Sequence, residues 1–512
     1  MNQAEDDGLL FNVVGYLNFG CKFLVNQGER VQLVQLNLAA AQKALNSTAY
    51  EATIDYCHQG IKLLGDDGWQ REYDLTLALY QALGSAQLSN ANYGELEQTT
   101  AKAFAEITSA TDRAEICVLQ LVGCCLQGRY AEAIDWGLTG LRDLDVDIQE
   151  DNIPASVEQE FAHLAEIMGD RNISDLLEHD HQVPAPRIQA AIKLLVAVDP
   201  PVYITGRNSL YALVGLLGTR YSIEHGNIAE SAKSYANYGM LLGSIQGDYQ
   251  RGYTFAEMGV ALAHRFNDKA MQCQAGLMLG SFAHPWARPI GGASKVNNDS
   301  FLAGMEAGET QYAAYNLFGS VLNLLFQGED LGSLANTILP SYDAVEKRVD
   351  SEMLRIALAG AQIFVQQLVS AQTATAETTE LMANARAVIR AGEVSRNLLG
   401  LAIHYSLEMH RCCIIGDFAQ GWQFFQQLQP IVSSLVGFPT HSYYFYYGSL
   451  VLLNVEFAPE SDLDQKRWDW IEANQKQLKI WVDSCPENFL HKYLLIQAEC
   501  CRVRGDRFGA MD

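Results

Sequence analysis

Apolar residues recur at i, i+3, i+4 and i+7 along most of this chain, the spacing of one face of an α-helix. The stretches "YDLTLALYQALGSAQLS" and "HKYLLIQAECCRVRG" show it cleanly. No eight-residue stretch fits strand alternation better than the helical period. Breakers are scarce, with 12 prolines in 512 residues. The pattern predicts an all-α chain, far above the roughly 30–35% helix of an average globular domain.

The helical pattern is itself repeated. "AYEATIDYCHQGIKLL" (49–64) lies on "RYAEAIDWGLTGLRDL" (129–144), and "NYGELEQTTAKAFAEI" is a third copy between them. Ten residues beyond Tyr50, Tyr93 and Tyr130 stand Gly60, Ala103 and Gly140. The repeat spacings, Tyr50 to Tyr93 to Tyr130, are 43 and 37 residues. A period near 40 made of two helices and a turn marks an α-solenoid. The tyrosine that opens the second helix is expected to pack under the first. The small residue ten places on lets a neighbouring helix approach. Glycine inside a helix costs roughly 1 kcal/mol relative to alanine, so Gly140 needs such a reason. Gly137 aligns with the larger Cys57 and Thr100, which predicts the tighter contact at Gly140. Weaker copies open at Gly226, Gly247, Gly416 and Gly505, each a glycine and a polar residue suited to a turn.

The expected breaks are an acidic connector at 144–160, proline turns at 177–187 and 198–203, and a polar link at 456–467. The longest irregular stretch is "AHPWARPIGGASKVNND" at 283–299. The fold class expected is an alpha-alpha superhelix, a tetratricopeptide-like (TPR-like) solenoid of antiparallel helix pairs. Soft boundaries divide it into 1–155, 156–292 and 293–512. The last part stops at "GDRFGAMD", one or two turns into a helix the repeat would continue, which predicts a frayed 505–512 and a fragment or split gene.

Charge narrows the partners. A net charge of −25 repels phosphate backbones, and no Lys/Arg-rich run offsets it, so no nucleic acid is expected. The opening "MNQAEDDGLLFNVV" is polar and acidic, unlike a signal peptide. No uncharged apolar run reaches the ~18 residues of a membrane span. Eleven cysteines, three times in adjacent pairs and never as C-x-x-C, suit reduced, buried thiols in a cytoplasmic protein.

Candidate chemistry is thin, and no catalytic, metal or cofactor-binding residue is expected. His179, Asp180 and His181 sit in a proline-rich turn and suit a solvated loop better than a metal site. His404, His410, Cys412 and Cys413 lie on a helix with no strained turn to expose a thiolate. In "FAHPWARP", His284, Trp286 and Arg288 alternate along an expected extended loop, where they would form an aromatic and cationic pocket for an anion or partner. The competing reading has Trp286 filling a gap between helices, with His284 and Arg288 capping helix ends.

The blocks "QLNLAAAQKALNSTAYEATIDYCHQGIKLL", "SYANYGMLLGSIQGDYQRGYTFAEMGVALAHRF", "GMEAGETQYAAYN" and "SCPENFLHKYLLIQAECCRVRGD" resemble a family. It is the tetratricopeptide-like helical region of large, mainly cyanobacterial, signalling proteins. There it follows a STAND-type ATPase module, often after a serine/threonine kinase domain, and precedes GAF and histidine-kinase domains. The resemblance implies a sensing or coupling arm between an ATPase or kinase module and a histidine-kinase output, with those domains or other proteins as partners. The chain departs from the full architecture. It has no G-x-x-x-x-G-K-[ST], no H-R-D or D-F-G, and no histidine-kinase glycine boxes. The expectation is a non-catalytic scaffold. A free-standing adaptor for a peptide, or an enzyme with a pocket at 282–292, are the alternatives.

Overall fold

A computed structural model describes residues 3–24, 26–181, 183–338, 351–369, 376–457, 462–506 and 508–511. The chain is 85% helical, and none of the described residues is in a strand. It divides into two compact units. The first comprises 1–149 and 186–198, the second 150–185 and 199–512.

The first unit is a stack of antiparallel helix pairs. The helices Tyr50–Leu64, Tyr93–Glu106 and Tyr130–Asp143 each open on the repeat tyrosine. Each follows the same turn. Two residues before the tyrosine, Thr48, Ala91 and Gly128 adopt left-handed φ values of +58, +59 and +72°. The next amide then reaches back five residues, as Ala49 N–H does to Ala44 O at 2.9 Å and Arg129 N–H to Cys124 O at 2.9 Å. This satisfies a carbonyl that the helix end would leave bare. Tyr50 packs against a core that includes Ile54, Cys57, Leu79 and Leu83.

The small residues are buried where the next helix arrives. A Cβ on Gly60 would lie 2.9 Å from Leu79 Cδ2, and one on Gly140 2.8 Å from Leu194 Cδ1. Ala103 packs with Leu77, Ile107 and Ile116. The order expected at Gly137 and Gly140 is reversed. A Cβ on Gly137 would stand 2.6 Å from Val198 Cγ2 and 2.9 Å from Val198 Cβ. Its partner lies on the helix Pro186–Ile204, which the short repeat alignment does not contain.

Several expected breaks are helical. Pro200 and Pro201 lie inside Pro186–Ile204 rather than in a turn. They stand in its last turns, where each still removes one backbone hydrogen bond and where few residues follow for a kink to displace. The helix Ile153–Met168 begins inside the expected acidic connector and runs beyond it, with proline in its first turn. The backbone of 173–181 is a 3-10 helix, and the side chains of His179, Asp180 and His181 lie outside the described residues. Residues 508–511 form turns, with Phe508 and Met511 exposed.

In the second unit, the helices Ser231–Gln246 and Tyr249–Arg265 pack backbone to backbone. Small residues run along both at steps of four, three and four: Ala232, Ala236, Gly239 and Gly243 face Gly252, Ala256, Gly259 and Ala263. A Cβ on Gly239 would meet Gly252 O at 2.3 Å, and one on Gly259 would meet Ala232 O at 2.4 Å.

Candidate functional site

The expected loop at 283–299 is not a loop. Met278–Ala283 is a π-helical segment, His284–Ala287 an α-helical turn, and Ala293–Ala307 an α-helix. Residues at alternate positions therefore do not share a side as they would in an extended strand. Trp286 is buried, with its indole N–H on Gly437 O at 2.7 Å and its ring stacked on Phe489. His284 is buried, Nε2 lies 3.1 Å from Pro289 O, and burial lowers its pKa. Arg288 is half-buried over the Tyr253 ring and donates to Gln250 Oε1 at 2.6 Å. Asn488 fastens the segment by donating to Pro285 O and Arg288 O and accepting from the Ile290 amide.

The π-helical segment shapes a different site. Its wider turn leaves Gly280 O for a side chain, and Asn323 donates to it at 3.0 Å. Asn323 also donates to Asn297 Oδ1 at 2.8 Å, while Asn297 donates to Ser281 Oγ and Asn316 Oδ1, both at 3.0 Å. Glycines leave room for this network, since a Cβ on Gly319 would stand 2.1 Å from Ser281 Oγ. Held in this way, the segment gives Met278 and Phe282 to the wall of a cavity.

That cavity is narrow and partly open to solvent. Tyr203 and Tyr211 form one side, their rings 5.1 Å apart. Phe282 and Phe438, 4.4 Å apart, form another, and Tyr312, Tyr315 and Phe318 of the helix Thr310–Gln327 a third. Its polar members are an ion pair. Lys233 Nζ stands 3.1 Å from Asp199 Oδ2, with the two side chains only 2% and 4% exposed. Lys233 also donates to Tyr312 Oη and lies 4.8 Å from that ring's centroid. Asn237 donates to Asp199 Oδ2. Burial pushes the Asp199 carboxyl above its usual range, against the pull of Lys233 and Asn237. Asp199 Oδ1 is sealed from solvent and has no hydrogen-bond partner.

A second, more open cavity of the same unit gathers Arg386, Arg390 and Arg411. Arg386 and Arg390 are exposed, and Arg411 is bound to Glu408 at 3.0 Å. That is the makeup of a solvated face more than of a closed site. Among the described residues no group of three or more His, Cys, Asp or Glu is placed to hold a metal. None of the eleven cysteines is in a disulfide. None of the described helices is long and apolar enough to cross a membrane.

The aromatic cavity is not legible in the sequence because its ion pair joins positions 34 residues apart, 199 and 233, and its wall comes from six further segments. A lysine on an otherwise apolar helix face, in "ESAKSYANYGMLL", was the one local signal.

The fold defines an α-helical repeat protein. No protein-family model matches the chain. Over 351 residues, 62% of this chain, it is 21% identical to hybrid signal transduction histidine kinase G of Dictyostelium discoideum. It spans 10% of that protein's length. Among solved structures it is similar to a chain in the structure of Naa15/Naa10 bound to HypK-THB, with 10% identity and a TM-score of 0.24. That alignment covers 99% of this chain and 93% of the other.

Proposed function

We propose that the chain is a non-catalytic helical scaffold and sensing region of a signal-transduction kinase, coupling a kinase or ATPase module to a histidine-kinase output through protein contacts. The observation that carries this is the similarity, over 62% of the chain, to one segment of a much longer hybrid histidine kinase. The lack of a phosphate-binding loop and of kinase catalytic motifs in the sequence supports a non-catalytic role. The free thiols fit a reducing compartment, and a cytoplasmic location is part of the proposal.

The test is a chimera in which this chain replaces the matching segment of the Dictyostelium kinase. Histidine autophosphorylation is compared with the intact kinase and with the same kinase lacking the segment. The chimera is expected to behave more like the intact kinase. A chimera no better than the deletion would defeat the coupling role. Incorporation of labelled phosphate by the purified chain alone, incubated with ATP, would defeat the non-catalytic one.

A further inference from the structure

A carboxylate and an ammonium buried together are each costly to desolvate, and their mutual attraction offsets that cost only when the remaining lone pairs and protons are also satisfied. The pair at 199 and 233 meets this condition on one side only. Lys233 has Asp199, Tyr312 Oη and the Tyr312 ring. Asp199 Oδ2 has Lys233 and Asn237. Asp199 Oδ1 has nothing, in a residue that belongs to the cavity lining. The phenol groups around it are engaged elsewhere: Tyr203 donates to Val436 O at 3.0 Å, and Tyr211 reaches Met240 Sδ at 3.4 Å. The protein therefore presents an apolar, aromatic chamber lined by an acceptor that lacks a donor.

We propose that this cavity binds an uncharged, mostly apolar ring compound carrying a single hydroxyl or N–H group, with that group donating to the Asp199 carboxylate once the side chain turns its unpartnered Oδ1 toward the cavity. The aromatic walls supply ring faces and edges, which pair with a flat apolar body. A few polar groups in an apolar enclosure fix a ligand's orientation and set its specificity. An anion is disfavoured because Lys233 is already bound to Asp199 and Tyr312. A cation is disfavoured because Lys233 already supplies the counter-charge at 3.1 Å. Pro200, Tyr203 and Ile204, half-buried at the end of the helix Pro186–Ile204, mark the open side. The site goes beyond the scaffold reading and stands without it, since it depends on no kinase partner.

Indole and indene share one ring skeleton, with and without the donor. Their binding to the full chain is measured by ligand-observed saturation-transfer NMR. Indole is expected to bind about five-fold more tightly, the factor that one net hydrogen bond supplies. The double variant Asp199→Leu/Lys233→Met removes the acceptor and both buried charges together, an exchange that buried pairs often tolerate. It is expected to bind the two compounds equally. Met353→Trp, which adds bulk to the lining without touching the pair, is expected to weaken both by ten-fold or more. The proposal is overturned by native chain that binds neither compound or both alike. It is equally overturned by a folded double variant that keeps the preference, or by unchanged binding in Met353→Trp.

Discussion

In the first unit, the small residues at helix contacts face the tips of side chains. In the second, between Ser231–Gln246 and Tyr249–Arg265, Gly239, Gly252 and Gly259 face backbone. Gly60 makes room for Leu79 Cδ2, a methyl that can turn aside. Gly239 makes room for Gly252 O, which cannot move unless the helix moves. Sequence alone shows both as glycine in a helix. The difference lies in what the partner helix presents, and it decides how far each position tolerates change.

The largest effect follows directly. Gly239→Ala or Gly252→Ala places a methyl within 2.3 Å of a carbonyl oxygen and must push two helices apart. A loss above about 3 kcal/mol is expected, at the upper end of overpacking costs. Gly60→Ala adds the same methyl, but Ala103 already occupies the equivalent place in a sister repeat. It should stay within about 1 kcal/mol of the parent, with gained helix propensity offsetting a turned leucine. Urea denaturation of the three variants reads this contrast, and similar losses in all of them would erase it.

Acid separates the units next. Burial lowers the pKa of His404 to about 4, of His410 to about 3 and of His441 to about 4, all in the second unit. Nearby positive charge on Arg411 and Lys492 adds to the first two shifts. The first unit has one histidine, His58, and it is exposed. With folded pKa values below the unfolded value of about 6.5, the unfolded state binds more protons as pH falls. The stabilisation is complete above about 6.5 and is lost progressively below it, at roughly 1 kcal/mol per histidine by pH 5.5. The carboxyls of Asp199, Glu309 and Glu408, raised mainly by burial, act in the opposite direction as pH falls. Thermal unfolding between pH 7 and 5.5 should show the loss. His410→Phe, in a site already lined by Phe364, Tyr443 and Tyr447, should remove one histidine's share. A pH dependence unchanged by that variant would contradict the assignment.

Within the first unit, Gly137→Ala should cost more than Gly140→Ala, by about 1 kcal/mol. The methyl at 137 would meet the Cβ of Val198, a β-branched side chain with little freedom at χ1. The methyl at 140 would first meet the end of Leu194, which can change rotamer. Equal melting temperatures would mean that Val198 yields as readily as Leu194.

These contrasts also show what was legible in the sequence. The three tyrosine-led helices were, because their signal is local: an opening aromatic, a 3.6-residue period, and a small residue ten places on. The spacing of Ala232, Ala236, Gly239 and Gly243 against Gly252, Ala256, Gly259 and Ala263 was equally present in the letters. In the sequence it reads as two weak repeat copies, because the turn glycines at 226 and 247 give the stronger signal. The stretch 283–299 reads as irregular in the sequence for a physical reason. Pro285, Pro289 and the nearby glycines signal irregular chain, yet Ser484 and Asn488 supply the hydrogen bonds that keep its first turn helical and buried. Those donors lie more than forty residues away. The aromatic cavity is non-local in the same sense, since Asp199 and Lys233 lie 34 residues apart on helices that carry none of the repeat's marker residues.

The smallest effect concerns the turns that the three first-unit repeats share. Ala91 and Gly128 occupy the same left-handed position, two residues before the tyrosine. A residue with a Cβ pays about 1–2 kcal/mol there, from contact with the following carbonyl. Glycine avoids that strain but loses more freedom on folding, roughly 0.5–1 kcal/mol relative to alanine. Ala91 is exposed, so its methyl contributes little packing. The Asn92 N–H to Gln87 O bond of 2.8 Å does not involve the side chain and would survive the exchange. Ala91→Gly should therefore stabilise the first unit by about 0.5–1 kcal/mol, and Gly128→Ala should destabilise it by a similar amount. A methyl at 128 would meet nothing within 4 Å, so that loss would report backbone strain alone. Amide exchange in the helices Tyr73–Ser89 and Tyr93–Glu106 resolves the first variant, with slower exchange expected. Faster exchange in Ala91→Gly would show that the third repeat position holds its alanine for packing and not merely in spite of strain.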